Sequence, residues 1–251
     1  MSQWTAKDAS PVPERVLDDW EMPEPIGYAE SKYTAERLLD DARRVAGVNC
    51  AICRVGQIAG PVAQNGIWNR NEWLPSPIAS SKYLGKLPAS LGPLNLVDWI
   101  PVDLLSKIIL DLLFNTSSEL SDICQSSNGT CLQKSTVEPI STAVFHAVNS
   151  FMVSWTDLVP AVQTVMGETL KIVTLVEWVD ILKSSLEGTK DIKPNPAVKL
   201  LDFFVALKQS SDQPRLDATT TTQKSPTMAA LEPVSKFWMK QWGYCYVNME
   251  D

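Results

Sequence analysis

The chain has 251 residues, 45% apolar and 20% charged, the balance of a globular protein rather than a disordered or collagenous one, with room for one large or two small domains. Its 22 basic and 29 acidic side chains leave a net charge of −7 and no basic stripe, which argues against nucleic acid as a partner. No apolar run reaches the ~18 residues of a membrane-spanning helix, and Met1–Lys7 carry no apolar signal core, so the expected setting is cytoplasmic, with no membrane partner.

Residues 1–25 are polar, with Pro11, Pro13, Pro23 and Pro25, and read as a loop. A helix is expected from Tyr28 to Ala46, where Ala35, Leu38, Leu39, Ala42, Val45 and Ala46 mark one apolar face and Gly47 the cap. Val48–Val55 lacks clean alternation and predicts a strand buried on both faces, as in a parallel sheet. Helix, short turn and buried strand make half of a doubly wound α/β unit. The turn-rich Gly56–Pro61 then lies at the strand's carboxyl end, where open α/β sheets bind ligands. A loop at 62–73 holds Trp68, Asn69, Asn71 and Trp73, and a short helix follows over 77–85. Leu94–Ile100 is a candidate strand and Val102–Phe114 a helix opened by Pro101.

Residues 115–139 are rich in Ser, Thr, Asn and Gln and read as a polar insertion or linker. The sequons at Asn115 and Asn128 carry no meaning in a cytoplasmic chain. Beyond them the pattern predicts strands over 142–149 and 170–175 and helices over 156–166, 176–186 and 197–208. A polar, low-complexity stretch spans 209–226, including Thr219–Thr222, and a Trp-rich helix covers 233–242.

Five cysteines, an odd number, argue against a disulfide framework. Cys50 and Cys53 form a C-x-x-C, but on a strand that spacing points the thiols to opposite faces, and no second pair follows. No metal site is expected. His146, the single histidine, lies in an apolar run and is expected in the core or on an edge strand.

The sharpest chemical signal is Gly27-Tyr28-Ala29-Glu30-Ser31-Lys32. Tyr28 and Lys32 are four residues apart and share a helix face. A cation beside a phenol favours the phenolate, and such a tyrosine can pass a proton to an alkoxide forming as hydride reaches a carbonyl. Alone, the pair equally describes a surface contact.

The order of pair, buried strand and glycine-bearing turn resembles the extended short-chain dehydrogenase/reductases. Four segments sharpen this: Gly27–Lys32 with Ala35–Leu39, Ile52–Pro61, Trp68–Ser76 and Val97–Asp103. Together they resemble the C-terminal thioester reductase domain of fungal non-ribosomal-peptide-synthetase-like carboxylate reductases, densely over 3–114 and more thinly over 140–251. The resemblance implies an α/β fold: a partial Rossmann-like doubly wound sheet lacking its first strands, plus a smaller, mostly helical substrate subdomain. It implies a cofactor-binding half at 1–114, the insertion at 115–139 and a substrate subdomain at 140–251.

It further implies NADPH-dependent reduction of an acyl thioester, carried on the phosphopantetheine arm of an acyl carrier protein, to an aldehyde or alcohol. Tyr28 would be the proton donor and Lys32 the ribose ligand, with Gly56, Gln57 and Ile58 beside the nicotinamide. Trp68, Asn69 and Trp73 would line or cover the acyl channel, loop packing being the equal alternative for the two tryptophans. No glycine-rich G-x-x-G-x-x-G or G-x-G-x-x-G turn occurs in the 251 residues, and the strand that carries the family's Ser or Thr would precede Trp4–Lys7, leaving only Ser2. The expectation is an N-terminally truncated reductase with weak NADPH affinity, one sheet edge open and no turnover alone, acting through a complementing N-terminal reductase fragment. The alternative is a non-catalytic module that keeps an acyl or carrier-protein surface. A sugar-epimerase-like member is disfavoured by the Trp68–Ser76 segment.

Overall fold

The computed structural model describes residues 11–63, 66, 68–69, 72–125, 142–167, 169–187, 193–208 and 214–247. In chain order its elements are α1 (Gly27–Ala46), β1 (Ala51–Val55), β2 (Ile58–Ala59), α2 (Pro75–Leu84), β3 (Lys86–Pro88), β4 (Leu96–Val97), β5 (Ile100–Pro101), α3 (Val102–Gln125), β6 (Ala143–Ala147), β7 (Val153–Ser154), α4 (Trp155–Met166), β8 (Lys171–Val173), α5 (Leu175–Ser184), α6 (Leu201–Leu207), α7 (Thr219–Lys224), α8 (Pro226–Ala229) and α9 (Lys236–Val247). The strands pair in twos: β1 with β6, β2 with β5 and β3 with β8 in parallel, and β4 with β7 antiparallel. This is an α/β chain with part of a Rossmann-like sheet. Ser2, Trp4–Lys7 and the Asn128 sequon lie outside the described residues.

Local chemistry sets several boundaries. Gly47, at φ 66°, ends α1 by donating to Arg43 O while Val48 N–H reaches Ala42 O, a left-handed closure that a Cβ would strain. The strand expected over 170–175 stops at Val173 because Thr174 Oγ1 accepts Glu177 N–H at 3.1 Å and starts α5. The strand expected over Leu94–Ile100 is broken into β4 and β5 around Asp98 and Trp99. The helix expected to end at Phe114 continues to Gln125.

Two compact units interleave along the chain. The first comprises Met1–Gln57, Leu105–Ser150 and Gln213–Leu231, the second Ile58–Leu104, Phe151–Asp212 and Glu232–Asp251.

In the first unit, β1 is not buried on both faces: Ile52 and Arg54 are buried, while Ala51, Cys53 and Val55 are exposed. Among the described residues it has one ladder, to β6, and one covered face. Nor does α1 dock by its apolar stripe. Leu38 and Val45 are exposed, and Tyr33 is its one buried residue. Tyr33 Oη donates to Leu17 O at 2.7 Å and accepts Asp19 N–H at 3.0 Å. The helix is held by polar contacts because Glu36 meets the one charge in β1. Arg54 makes a paired fork to Glu36 (Nε–Oε1 2.9 Å, Nη2–Oε2 2.7 Å), with side-chain exposures of 5% and 18%.

The same guanidinium reaches His146 Nε2 at 3.0 Å, and His146 Nδ1 lies 2.6 Å from Asp217 O. A carbonyl only accepts, so Nδ1 carries the hydrogen and Nε2 accepts from Arg54: the imidazole is neutral. The backbone of His146 is tied as well, its N–H reaching Thr221 Oγ1 at 2.8 Å and Glu14 Oε1 at 3.2 Å. Glu14 also accepts the Thr220 and Thr221 amides, and Asp217 Oδ1 accepts Thr219 N–H at 3.0 Å. These two carboxylates satisfy the amides that open α7. The Thr219–Thr222 run, expected as low-complexity chain, is therefore helical, with Thr221 buried.

This arrangement fixes a pH response. Burial holds the His146 pKa below its ordinary value, reinforced by the Arg54 charge and only partly offset by the Asp217 carbonyl, Glu14 and the Asp217 carboxylate. The unfolded chain therefore takes up the proton first as pH falls, at about 6.5, and stability drops below that point. Above it, His146 is neutral in both states and its contribution is complete. Unfolding midpoints measured between about pH 7 and about pH 5.5 will fall with acid in the native chain and fall less in His146→Gln.

The second unit is organised around indoles. Trp68, Trp99, Trp155 and Trp242 share one core cluster with Leu74, Ile78 and Leu87. Trp178 packs on Phe204 in another. Three of the buried indoles donate to acceptors within this unit: Trp155 Nε1 to Pro88 O (3.0 Å), Trp178 Nε1 to Ser81 Oγ (3.0 Å) and Trp242 Nε1 to Pro61 O (2.9 Å).

Candidate functional site

The helical spacing brings Tyr28 and Lys32 together on the first turns of α1. Lys32 Nζ lies 5.4 Å from the centroid of the Tyr28 ring, over its face, within cation–π range. Tyr28 is 73% exposed and Lys32 is also exposed. Ser31 Oγ donates back to Tyr28 O at 2.8 Å and steadies the turn. A phenol and an ammonium displayed side by side can supply a proton and hold a sugar hydroxyl.

Gly56 and Gln57 follow β1 and are half-buried. Gly56 N–H donates to Ala147 O at 3.0 Å. A Cβ on Gly56 would lie 2.7 Å from Val148 Cγ1, so the loop after β6 requires glycine here. Ile58 opens β2 opposite Ile100.

Trp68, Asn69 and Trp73 belong to the second unit. Trp68 is 3% exposed, edge-on to Trp99 (6.0 Å) and Trp242 (5.1 Å), with its Nε1 donating to Glu72 Oε2 at 2.9 Å. Trp73 is half-buried, 6.5 Å from Trp99 and 5.7 Å from Phe203. Asn69 is exposed. Trp68 is therefore a core side chain, while Asn69 and Trp73 present accessible surface.

Asp103, at the end of the Val97–Asp103 segment and in the first turn of α3, ties down a neighbouring loop. Its carboxylate accepts Val62 N–H (3.1 Å), Ala63 N–H (2.9 Å) and Leu104 N–H (3.1 Å). The cue was present: an acidic residue two places after Pro101 at a helix start is a capping signal. No local sequence pattern joins the Glu36–Arg54–His146 network, whose members are distant in the chain. Among the described residues no group of histidine, cysteine and carboxylate side chains is arranged to hold a metal, and no helix is long and apolar enough to cross a membrane.

The chain is similar to known proteins along most of its length. Residues 12–109 match the model of a NAD-binding family described as male sterility protein. A carboxylic acid reductase of Neurospora crassa is 36% identical over 97% of this chain, which covers 22% of that protein. The terminal reductase domain of the myxalamid PKS-NRPS pathway aligns at TM-score 0.66 and 21% identity, over 95% of this chain and 54% of that one. A thiolation-reductase di-domain from an archaeal non-ribosomal peptide synthetase aligns at TM-score 0.60 and 21% identity, over 97% of this chain and 44% of that one. The chain thus spans about one fifth of that curated relative and about half of those solved structures. In sequence, over nearly its whole length, the chain is similar to a fungal carboxylic acid reductase, and in fold to the reductase domains of non-ribosomal peptide and mixed polyketide–peptide synthetases.

Proposed function

We propose that this chain is a reductase-type domain of secondary-metabolite biosynthesis, using NADPH to reduce an acyl thioester, presented by a carrier protein's phosphopantetheine arm, to an aldehyde or alcohol. The observation that carries this is the Tyr28–Lys32 pair, exposed at the start of α1 with the ammonium over the ring. By resemblance these residues would take the nicotinamide-ribose end of a dinucleotide: an accessible phenol and an accessible cation on α1, the Gly56–Gln57 backbone after the carboxyl end of β1, and Ile58 beyond it. When bound, the dihydronicotinamide supplies a hydride. Lys32 would hold the ribose hydroxyls through its ammonium. Tyr28 would give its phenolic proton to the carbonyl oxygen of the acyl group, and collapse of the resulting hemithioacetal, with cleavage of its C–S bond, would release the aldehyde and return the phosphopantetheine arm as a free thiol. Asn69 and Trp73 would face the acyl chain, with Trp68 fixing the wall from behind.

The remainder of the fold supports a complementing reductase fragment as a further partner. Leu38 and Val45 of α1 and the Ala51, Cys53 and Val55 face of β1 are exposed, and the described residues contain no strand paired on the other edge of β1. Such an edge invites a strand. The second reading is an acyl- or carrier-binding module without catalysis.

Calorimetric titration of the purified chain with NADPH tests the choice. Saturable binding that weakens about tenfold or more in Lys32→Ala, the scale of one charge-assisted hydrogen bond, supports the reductase. Absence of binding by a well-folded chain rejects a cofactor site in this chain and leaves the non-catalytic reading.

A further inference from the structure

The strand β2 runs into Gly60–Ala63, and three side chains from two distant helices take up the backbone of that segment. Trp242 Nε1 donates to Pro61 O at 2.9 Å. Gln241 Nε2 donates to Val62 O at 3.3 Å and to Ala63 O at 3.2 Å. Asp103 accepts the Val62 and Ala63 amides. Proline has no N–H, so every backbone hydrogen-bonding group from Pro61 to Ala63 is held by a side chain. Gly60 closes against the same helix: a Cβ there would lie 2.7 Å from Trp242 Cδ1 and 3.1 Å from Trp68 Cβ.

An irregular segment with Ala63 exposed could satisfy its backbone with water. Here α9 and the first turn of α3 do so instead, which removes the freedom of the segment rather than merely its desolvation cost. The same helix reaches the far side of the loop, because the Trp242 ring meets the Trp68 ring at 5.1 Å. One side chain therefore anchors both the entry to the loop and its buried indole. Asn69 and Trp73 are carried between or beside these anchors.

We infer that α9 and Asp103 form a clamp on Gly60–Ala63 that positions the acyl-facing loop, with Gln241 as a positioning residue for acyl recognition. This rests on reading Trp68, Asn69 and Trp73 as the acyl wall. Gln241 holds these carbonyls through its amide donor, so Gln241→Glu replaces the donor with a carboxylate at nearly constant size, and Gln241→Lys restores a donor.

The test uses the full chain, a medium-chain acyl N-acetylcysteamine thioester as probe, tryptophan fluorescence for binding and amide hydrogen exchange at Val62 and Ala63. The expected result is protected Val62 and Ala63 amides in the native chain. In Gln241→Glu the expectation is faster exchange there and probe binding weakened about 5- to 10-fold, the scale of one or two lost hydrogen bonds. Gln241→Lys should recover part of the affinity, and both variants should stay fully folded under the binding conditions, with only a modest fall in denaturant midpoint. A purely structural role would move the midpoint and not the affinity. Probe binding by the native chain that is unchanged in Gln241→Glu overturns the inference and leaves the acyl reading intact. No probe binding by a native chain whose amides are protected overturns the acyl reading, and the inference with it.

Discussion

Replacing Arg54 with methionine will destabilise the first unit by about 3–5 kcal/mol, the range for removing one partner of a buried ion pair. The side chain is 5% exposed and serves three groups at once: the Glu36 carboxylate through a two-point fork, His146 Nε2 at 3.0 Å and Arg15 O at 3.2 Å. Methionine fills most of the volume but leaves a carboxylate and an imidazole lone pair facing an apolar stem. The cost is dominated by those stranded acceptors rather than by lost attraction. Urea unfolding followed by far-ultraviolet circular dichroism reads the change as a lower midpoint. Arg54→Met combined with Glu36→Leu should recover a large part of the loss, because the charge is then removed as a pair. By contrast, breaking the Lys208–Asp180 pair, whose carboxylate is 63% exposed, should cost less than about 1 kcal/mol. A loss from Arg54→Met no larger than this surface value would show that the network is not load-sharing and that α1 is held elsewhere.

What could be read ahead of the structure depended on how far apart the interacting residues lie. Tyr28 and Lys32 are one helical turn apart, so a spacing argument suffices. The caps at Gly47 and Thr174 are equally local. Arg54 and His146 are separated by 92 residues, and no local pattern joins them. A guanidinium inside an apolar strand does announce that a carboxylate must be near, and Glu36 on the preceding helix was the available candidate. The apolar stripe of α1 was legible, but its burial was not: periodicity reports which residues share a face, and tertiary contacts decide whether that face is covered. Thr219–Thr222 went the other way. Threonine-rich chain has weak helix propensity, and α7 forms because Glu14, more than 200 residues earlier, accepts its first amides. Trp68 shows the same limit at the candidate site. Its motif suggests an acyl wall, and only packing shows that its indole sits in the core while Asn69 and Trp73 reach the surface.

The second large effect concerns Trp242. Trp242→Ala should destabilise the second unit by about 3–5 kcal/mol, the usual cost of truncating a large buried aromatic. The ring is 1% exposed, fills the space against Gly60 and meets Trp68 at 5.1 Å and Trp238 at 6.3 Å. Its Nε1 supplies the hydrogen bond to Pro61 O. Trp242→Phe separates these contributions. Phenylalanine keeps much of the packing but loses the donor and leaves a carbonyl unsatisfied, which should cost about 1–3 kcal/mol. Guanidinium unfolding of both variants, read by circular dichroism because the substitution itself alters tryptophan emission, gives the two values. If Trp242→Phe costs as much as Trp242→Ala, the indole N–H dominates and the clamp on Pro61 is principally a hydrogen-bond device. If Trp242→Phe is neutral, ring volume alone holds α9 in place, and Gln241 and Asp103 are left as the polar anchors of the Gly60–Ala63 segment.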